Sequence, residues 1–327
     1  MTDTVEASRA PLTHVPLSTT PLPHLDTSIQ PWPGDHLVVG GHLVHVRRTP
    51  GPDGATAVYV HGLGGSATNW TDLAAQLAGH VRGHAPDLPG FGRSEPVDGY
   101  DFSLAAHARV VASFVAGLDA GPVHLLGNSM GGAISMIVAA TRPDLVRTLT
   151  LISPAVPDLR PSLRRVSDPR LPFAMLPVVG PRLRARLALV TPAERTRQML
   201  RLCFAEPDIV PAHRIAQSDA EYAERSTQPW AGHALGRSTV ELIRAWLAPR
   251  RRSLWVLAPR ITAPTLVVWG TEDRLVSVRK APRVARLLPR ARLLVLPRTG
   301  HVAQMERPVT VARAVLGMWE AVAAGTW

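Results

Sequence analysis

The sequence of 327 residues contains one cysteine, one lysine and no long apolar run. Because Cys203 stands alone, an internal disulfide and a zinc site built from several thiolates are both excluded. No stretch approaches the roughly 20 consecutive apolar residues that a membrane-spanning helix requires. The first residues lack a basic start followed by an apolar core, so we expect no secretory signal and a cytoplasmic location.

Acidic residues are too few to balance the basic ones, and the formal net charge is +11. Most of the excess lies in residues 154–264, which carry eighteen arginines and nine acidic residues. We expect no nucleic-acid partner, because the sequence has no helix-turn-helix, aromatic RNA-binding platform or zinc pattern. Three alternatives stay open: attraction of an anionic substrate, peripheral contact with an anionic membrane, and solvated arginine-rich helix faces.

Short β-rich runs alternate with helical runs, which predicts a mostly parallel sheet with helices on both faces. Strands are predicted at residues 36–48 (two strands joined by a Gly-Gly turn), 55–60, 81–86, 123–127, 149–153, 265–269 and 292–296. Helices are predicted at residues 68–78, 104–118 after the cap residue Ser103, 130–140, after the cap residue Ser277, and at 309–323.

Residues 154–264 interrupt this alternation and contain fourteen of the thirty-one prolines, a composition that predicts short helices. Two helix starts are indicated by a cap residue followed three positions later by glutamate, at Thr191 and at Ser238. We therefore assign residues 35–153 and 265–327 to one core and residues 154–264 to a helical cap. Residues 1–34 are predicted to form a flexible proline-rich arm.

One serine stands between an apolar strand and a glycine-rich helix, in Gly127-Asn128-Ser129-Met130-Gly131. In this context the G-x-S-x-G pattern is typical of a nucleophile elbow, a strained turn that presents the serine hydroxyl above the sheet. The flanking glycines let strand and helix approach closely. The Met130 amide would then face a developing oxyanion at the helix N-terminus. The alternative is a glycine-rich turn whose serine has no role.

A serine hydroxyl needs a base, and the base needs an acid that orients it. His301 follows the last predicted strand and is the candidate base. Asp273 follows the preceding strand and is the candidate acid, in preference to its neighbour Glu272, which would point elsewhere. The chain order Ser129, Asp273, His301 is the order expected for triads on this type of sheet.

A glycine-rich loop, His61-Gly62-Leu63-Gly64-Gly65, follows an earlier strand. Such a loop is able to bring a second backbone N–H to an oxyanion, and Leu63 is the predicted donor with Gly64 as the alternative. A phosphate-binding loop is the competing interpretation, but the residues that would follow it are missing. The third interpretation of this loop is a simple tight turn with no functional role.

These segments together resemble the α/β-hydrolase superfamily from about residue 36 to the C-terminus. The segments that carry the resemblance are His61-Gly62-Leu63-Gly64-Gly65, Asp87-Leu88-Pro89-Gly90-Phe91-Gly92-Arg93-Ser94, Gly127-Asn128-Ser129-Met130-Gly131-Gly132 and Gly300-His301 with Glu306-Arg307-Pro308. The resemblance implies an eight-stranded, mostly parallel sheet with a helical cap after the sixth strand. It also implies that the turn at residues 87–94 is mainly structural.

The serine segment also looks like the elbow of meta-cleavage C–C bond hydrolases. In that family the asparagine before the serine, here Asn128, helps to bind the dienolate substrate, and an arginine of the cap assists; the sequence does not choose among the cap arginines. Two features depart from that family: the composition of the loop at residues 61–65, and Val302, where the family tends to carry tryptophan.

The sequence thus predicts a serine hydrolase of the carboxylesterase kind, acting on a partly apolar acyl substrate without a metal or organic cofactor. A C–C hydrolase of a keto substrate is the first alternative, and a ligand receptor with this fold and little catalysis is the second. The cap residues predicted to line the acyl pocket are Phe173, Met175, Met199, Phe204, Trp230 and Trp246.

Overall fold

A computed structural model describes residues 14–159, 189–249, 251 and 253–327 of the chain. Eight strands form one sheet in the order β1-β2-β4-β3-β5-β6-β7-β8. The strands are β1 (Gly34–Val39), β2 (His42–Thr49), β3 (Thr56–Val60), β4 (Arg82–Pro86), β5 (Val123–Asn128), β6 (Val146–Ile152), β7 (Thr265–Gly270) and β8 (Ala291–Leu296). Only the pairings of β2, with β1 and with β4, are antiparallel. The predicted fold class is therefore confirmed.

The central strands are buried on both faces because helices cover both sides of the sheet. Every residue of β3, β5 and β7 is buried. The helices flanking the sheet are α1 (Thr71–Leu77), α2 (Leu104–Gly117), α3 (Met130–Thr141), α8 (Ala281–Leu287) and α10 (Pro308–Ala323), with the one-turn α9 (Ala303–Glu306) before the last. Helices α2, α3 and α8 pack on one face and α1 and α10 on the other, which gives the core its two halves.

Two predicted helices begin differently from expectation. The segment predicted as a helix from residue 68 forms a 3-10 turn, Ala67–Trp70, capped by Ser66, and only then α1. Ser277 likewise caps a 3-10 turn, Val278–Lys280, that leads into α8. In both cases the cap residue itself binds the backbone N–H two positions later, so the local capping signal acts within a tighter turn.

Described helices between β6 and β7 are α4 (Pro192–Cys203), α5 (Ala212–Ser226), α6 (Ala231–Leu247) and α7 (Leu254–Leu257). Thr191 caps α4 as predicted, accepting a hydrogen bond from the Glu194 N–H at 3.2 Å. The helix start predicted at Ser238 is wrong, because α6 begins seven residues earlier and Ser238 lies buried within it. Ala234, Ser238 and Leu242 form one buried face of α6. The packing of this face stabilises helix on both sides of Ser238, although the local sequence there is typical of a helix start.

The N-terminal arm, which the sequence predicts to be flexible, is hydrogen-bonded to the rest of the protein in its described part. The Ser18 N–H donates to the Arg313 carbonyl of α10 at 2.9 Å. Arg214 of α5 donates to the Ile29 carbonyl at 3.0 Å. The arm thus connects the last helix of the core to α5. In the part of the chain that the structure describes, no helix has the length and apolar character needed to cross a bilayer.

Candidate active site

Ser129 occupies a strained turn between β5 and α3. Its φ of 54° lies in the left-handed region, which a residue other than glycine adopts only where the surroundings enforce it. The Ser129 N–H donates to the Ile152 carbonyl of β6 at 3.0 Å, and the Ser129 carbonyl accepts from the Ala155 N–H at 2.8 Å. Hydrogen bonds on both sides of the residue therefore hold the elbow that the sequence predicts.

Glycines flank the elbow because its neighbours leave no room for a side chain. A Cβ on Gly131 would collide with the Val60 carbonyl oxygen, and a Cβ on Gly127 would lie 2.5 Å from the Gly131 carbonyl oxygen. A Cβ on Gly132 would lie 2.9 Å from Pro154. These contacts explain why small residues surround Ser129 at this strand-to-helix turn.

His301 and Asp273 form a buried pair at the ends of two neighbouring strands. The His301 Nδ1 lies 3.0 Å and 2.9 Å from the two carboxylate oxygens of Asp273. Asp273 Oδ1 also accepts hydrogen bonds from the N–H groups of Leu275 and Val276, each at 2.9 Å, which fixes the carboxylate. The neighbouring Glu272 is exposed to solvent. The choice of Asp273 as the partner of His301 agrees with this geometry.

The second ring nitrogen of His301 is available for a reacting group. Nε2 is buried and has no hydrogen-bond partner among the described residues. Since Nδ1 donates to Asp273, Nε2 carries the lone pair in the neutral ring. His301 and Ser129 line the same cavity, which has a volume of about 140 Å³. The site therefore presents a hydroxyl and an oriented, unpaired base to the same space.

Asn128 joins the turn that carries Ser129 to the loop that carries His301. We call this loop, residues 297–302, the histidine loop. Its side-chain amide donates to the His301 carbonyl at 3.0 Å and to the Ile152 carbonyl at 3.1 Å. Asn128 also lines the cavity, as a substrate-binding residue would. Because both amide hydrogens are used within the protein, its side-chain oxygen is the atom left for a ligand.

The histidine loop is also joined to the end of α4, a contact that no local sequence pattern predicts. The His301 N–H donates to the Cys203 carbonyl at 2.7 Å. The Glu306 carboxylate accepts hydrogen bonds from the N–H groups of Gly300 at 2.7 Å and Ala205 at 3.0 Å. Burial raises the pKa of Glu306, and these two N–H donors act in the opposite direction. Glu306 belongs to one of the segments that resemble the α/β-hydrolase superfamily. Its hydrogen-bond donor Ala205, however, lies about a hundred residues away in the sequence.

The glycine loop (residues 61–65) borders the cavity, and its lining residues include Leu63, the oxyanion donor predicted in this loop, and Gly64, the predicted alternative. Met130 begins α3, so its amide is among the first N–H groups of the helix, which have no partner within it. His61 fixes the base of the loop: its Nε2 accepts from the Leu88 N–H at 2.9 Å and its Nδ1 donates to the Gly62 carbonyl at 2.7 Å. Burial lowers the pKa of His61, which keeps the ring neutral for this bridge.

Arg225 reaches from α5 to the glycine loop. Its guanidinium donates to the Gly64 carbonyl and, at 3.4 Å, to the Gly65 carbonyl. It also forms an ion pair with Glu221 and lies 5.3 Å from the centroid of the Tyr222 ring. Nothing in the local sequence distinguishes Arg225 from the other arginines between residues 154 and 264. Only the packing of α5 over the loop selects it.

The predicted acyl-pocket residues have different positions. Met199 and Phe204 line the cavity of Ser129. Trp230 and Trp246 do not lie among its described lining residues; Trp246 packs on the core and its indole N–H donates to the Ala155 carbonyl at 2.9 Å. Phe173 and Met175 lie outside the described residues. Apolar spacing on a helix therefore did not separate pocket residues from packing residues, because both give the same pattern.

Comparisons with known proteins agree with the fold described above. The α/β hydrolase fold family matches residues 58–308. The chain is 28% identical over 270 residues to a 2-hydroxy-6-oxo-6-phenylhexa-2,4-dienoate hydrolase of Burkholderia cepacia, covering 80% of this chain and 87% of that protein.

Two solved structures are also similar. A membrane phospholipase A, described as a bacterial virulence factor, has 27% identity and a TM-score of 0.72, covering 90% of this chain and 87% of its own. A putative lipase of Acinetobacter baumannii AYE has 23% identity and a TM-score of 0.73, covering 90% of this chain and 93% of its own. With its sheet order, its serine turn and a family match over most of its length, the chain belongs to the α/β-hydrolase fold family.

Proposed function

We propose that this hydrolase is a serine esterase that cleaves carboxylic esters of partly apolar acyl groups. The observation that carries the proposal is the buried Asp273–His301 pair, whose unpaired Nε2 borders the same cavity as the strained Ser129. This combination supplies a nucleophile, a base in the correct tautomer and a carboxylate that stabilises the charged ring.

In the proposed mechanism, His301 Nε2 takes the Ser129 proton as the hydroxyl oxygen attacks the ester carbonyl. The N–H groups of Met130 and Leu63 stabilise the tetrahedral oxyanion, and Asp273 stabilises the imidazolium. The leaving alcohol takes the proton from His301 as the acyl–oxygen bond breaks. A water molecule then attacks the acyl-enzyme with His301 again as base, releasing the acid and restoring Ser129.

Covalent labelling tests the identity of the nucleophile. A fluorophosphonate probe should react with the folded protein in a 1:1 ratio, and peptide mapping should place the adduct on Ser129. Purified protein should also turn over p-nitrophenyl esters, and prior labelling should abolish that turnover. Labelling of a different residue, or full ester turnover by the labelled protein, would contradict the proposal.

A second candidate function is C–C hydrolysis of a meta-cleavage product. The relative from Burkholderia cepacia, which is named for such a substrate, favours it, and Arg225 is the described arginine that reaches the loop beside Ser129. Purified protein would then bleach the yellow dienolate substrate. If p-nitrophenyl esters are hydrolysed and the dienolate is not, this second function is excluded.

Removal of the Glu306 carboxylate should impair the site through His301. In Glu306→Ala the N–H groups of buried Gly300 and half-buried Ala205 lose their acceptor, and the loss at Gly300 alone costs roughly 1–3 kcal/mol of unfolding free energy. We expect kcat for ester hydrolysis to fall by about tenfold or more with a smaller change in KM, because the histidine loop keeps only the His301–Cys203 hydrogen bond to α4.

The conservative variant separates this role from general stability. Glu306→Gln keeps one acceptor oxygen and should recover part of kcat, whereas urea unfolding reports stability in parallel. If Glu306→Ala loses stability but keeps the wild-type kcat, Glu306 does not position His301.

A further inference from the structure

A second cavity, of about 450 Å³, lies beside the cavity of Ser129. We call the two the outer and the inner cavity. The lining of the outer cavity includes the described part of the arm, the turn before α1, and α5. Leu25 and Pro31 are among its lining residues in the arm. Neither Ser129 nor His301 lines it. Further lining residues come from β2, from the turn at residues 87–94, from the end of α4 and the residues after it, and from residues 305–308.

The inner cavity is small for an ester with a long chain. Its volume is about 140 Å³. Sites that bury whole small molecules usually measure about 300–1,000 Å³. The inner cavity therefore accommodates the scissile bond and a short substituent, and the rest of a longer substrate needs adjoining space. The outer cavity has a volume in the required range.

Side chains of α5 form part of the partition between the two spaces. Glu221 and Arg225, one helical turn apart, line both cavities. Glu221 accepts a hydrogen bond from the Thr68 hydroxyl at 2.8 Å and pairs with Arg225, which in turn holds the carbonyl groups of the glycine loop. The wall that the two cavities share also contains Asn69, Leu200, Phe204, Ser218 and Met305.

The charges on the outer wall favour an uncharged occupant. Four arginines and five acidic residues line the cavity, so they give no cationic excess that would select an anion. Ion pairs occupy most of these groups, such as Arg93 with Glu224 at 2.8 Å and Arg214 with Asp72. Between them lie apolar side chains that include Ile209 and Val210. A flexible aliphatic chain is the occupant that such a wall accepts without breaking an ion pair.

We propose that the outer cavity binds the aliphatic chain of the substrate ester and that Glu221 and Arg225 control the passage to it. The proposal rests on the ester hydrolysis proposed above. It makes the N-terminal arm and α5 determinants of chain-length preference, a role that neither segment's sequence indicates.

Chain-length profiles test the proposal on the full-length protein. We would measure kcat/KM for p-nitrophenyl esters from butyrate to decanoate, and for acetates of alcohols of the same lengths. Val210→Trp places a large side chain in the outer cavity and should lower the decanoate-to-butyrate ratio by about tenfold or more. Glu221→Ala removes part of the partition and should raise that ratio. Ile243→Trp, an equally large change at an exposed position of α6, is the control and should leave the ratio unchanged.

The two ester series show which part of the substrate enters the outer cavity. A changed ratio among the p-nitrophenyl esters places the acyl chain there, and a changed ratio among the acetates places the alcohol chain there. Wild-type ratios in both Val210→Trp and Glu221→Ala, for both series, would overturn the outer-cavity proposal, as would turnover by the wild type of short esters only. Ester turnover that does not depend on Ser129 would instead contradict the proposed esterase mechanism, so the two failures are distinguishable.

Discussion

Replacing Ser129 with alanine should lower kcat for p-nitrophenyl ester hydrolysis by on the order of 10⁴-fold or more. The alanine has no oxygen to form the acyl-enzyme, and His301 Nε2 then has no nucleophile to activate. Only the backbone donors of the oxyanion site would remain, and these give a small residual rate over water. Steady-state kinetics of the purified variant measure the loss.

A matched serine variant is available in the same helix-turn unit. Ser135 of α3 is fully buried, and its hydroxyl has no partner among the described residues. Ser135→Ala should therefore keep kcat within about twofold, because it removes no hydrogen bond. Thermal unfolding should show that Ser129→Ala remains folded, since alanine fits the same backbone space. If Ser129→Ala keeps a tenth of the wild-type rate, the nucleophile lies elsewhere.

Asp273→Asn should lower kcat by on the order of 10⁴-fold at neutral pH while leaving the fold intact. The asparagine oxygen still accepts the N–H groups of Leu275 and Val276, so the turn keeps its hydrogen bonds. Its amide group, however, donates toward His301 Nδ1 and favours the tautomer with the proton on Nε2. That tautomer cannot accept the Ser129 proton, and no carboxylate stabilises the charged ring.

The exposed neighbour of Asp273 supplies the control for this experiment. Glu272→Gln removes an equal charge one residue away and should leave kcat within about twofold, because an exposed carboxylate contributes little through solvent. Kinetics of both variants should be compared with their thermal unfolding curves. Equal losses in the two variants would show that local charge, and not the contact of Asp273 with His301, supports the reaction.

The strained turn at Ser129 and the contact between Asp273 and His301 were predictable because each depends on local sequence and strand order. In a parallel sheet the residues that follow neighbouring strands meet at one edge, so Ser129, Asp273 and His301 needed no knowledge of distant contacts. The glycines at positions 127 and 131 are likewise local requirements of one tight turn. The order of the strands and helices along the chain was also predictable, because it depends on local sequence patterns.

Contacts between distant segments were not predictable in this way. The start of α6 was misplaced because Ser238 has the sequence of a helix cap but packs within a longer buried face. Trp246 was assigned to the pocket although its side chain packs on the core, since pocket and core residues share one apolar pattern. Arg225 could not be chosen among many arginines until α5 was placed over the glycine loop.

The sequence by itself determined the class of fold, the strained serine turn and the three side chains of the proposed triad. Those features depend on periodicity, on steric limits at glycine and on the edge that parallel strands share. The tertiary structure alone decided that α4 binds the histidine loop through Glu306 and Cys203, that α5 binds the glycine loop, and that the arm helps to form the outer cavity. These contacts join residues about a hundred or more positions apart, and no local pattern encodes which backbone groups will meet when the helices pack.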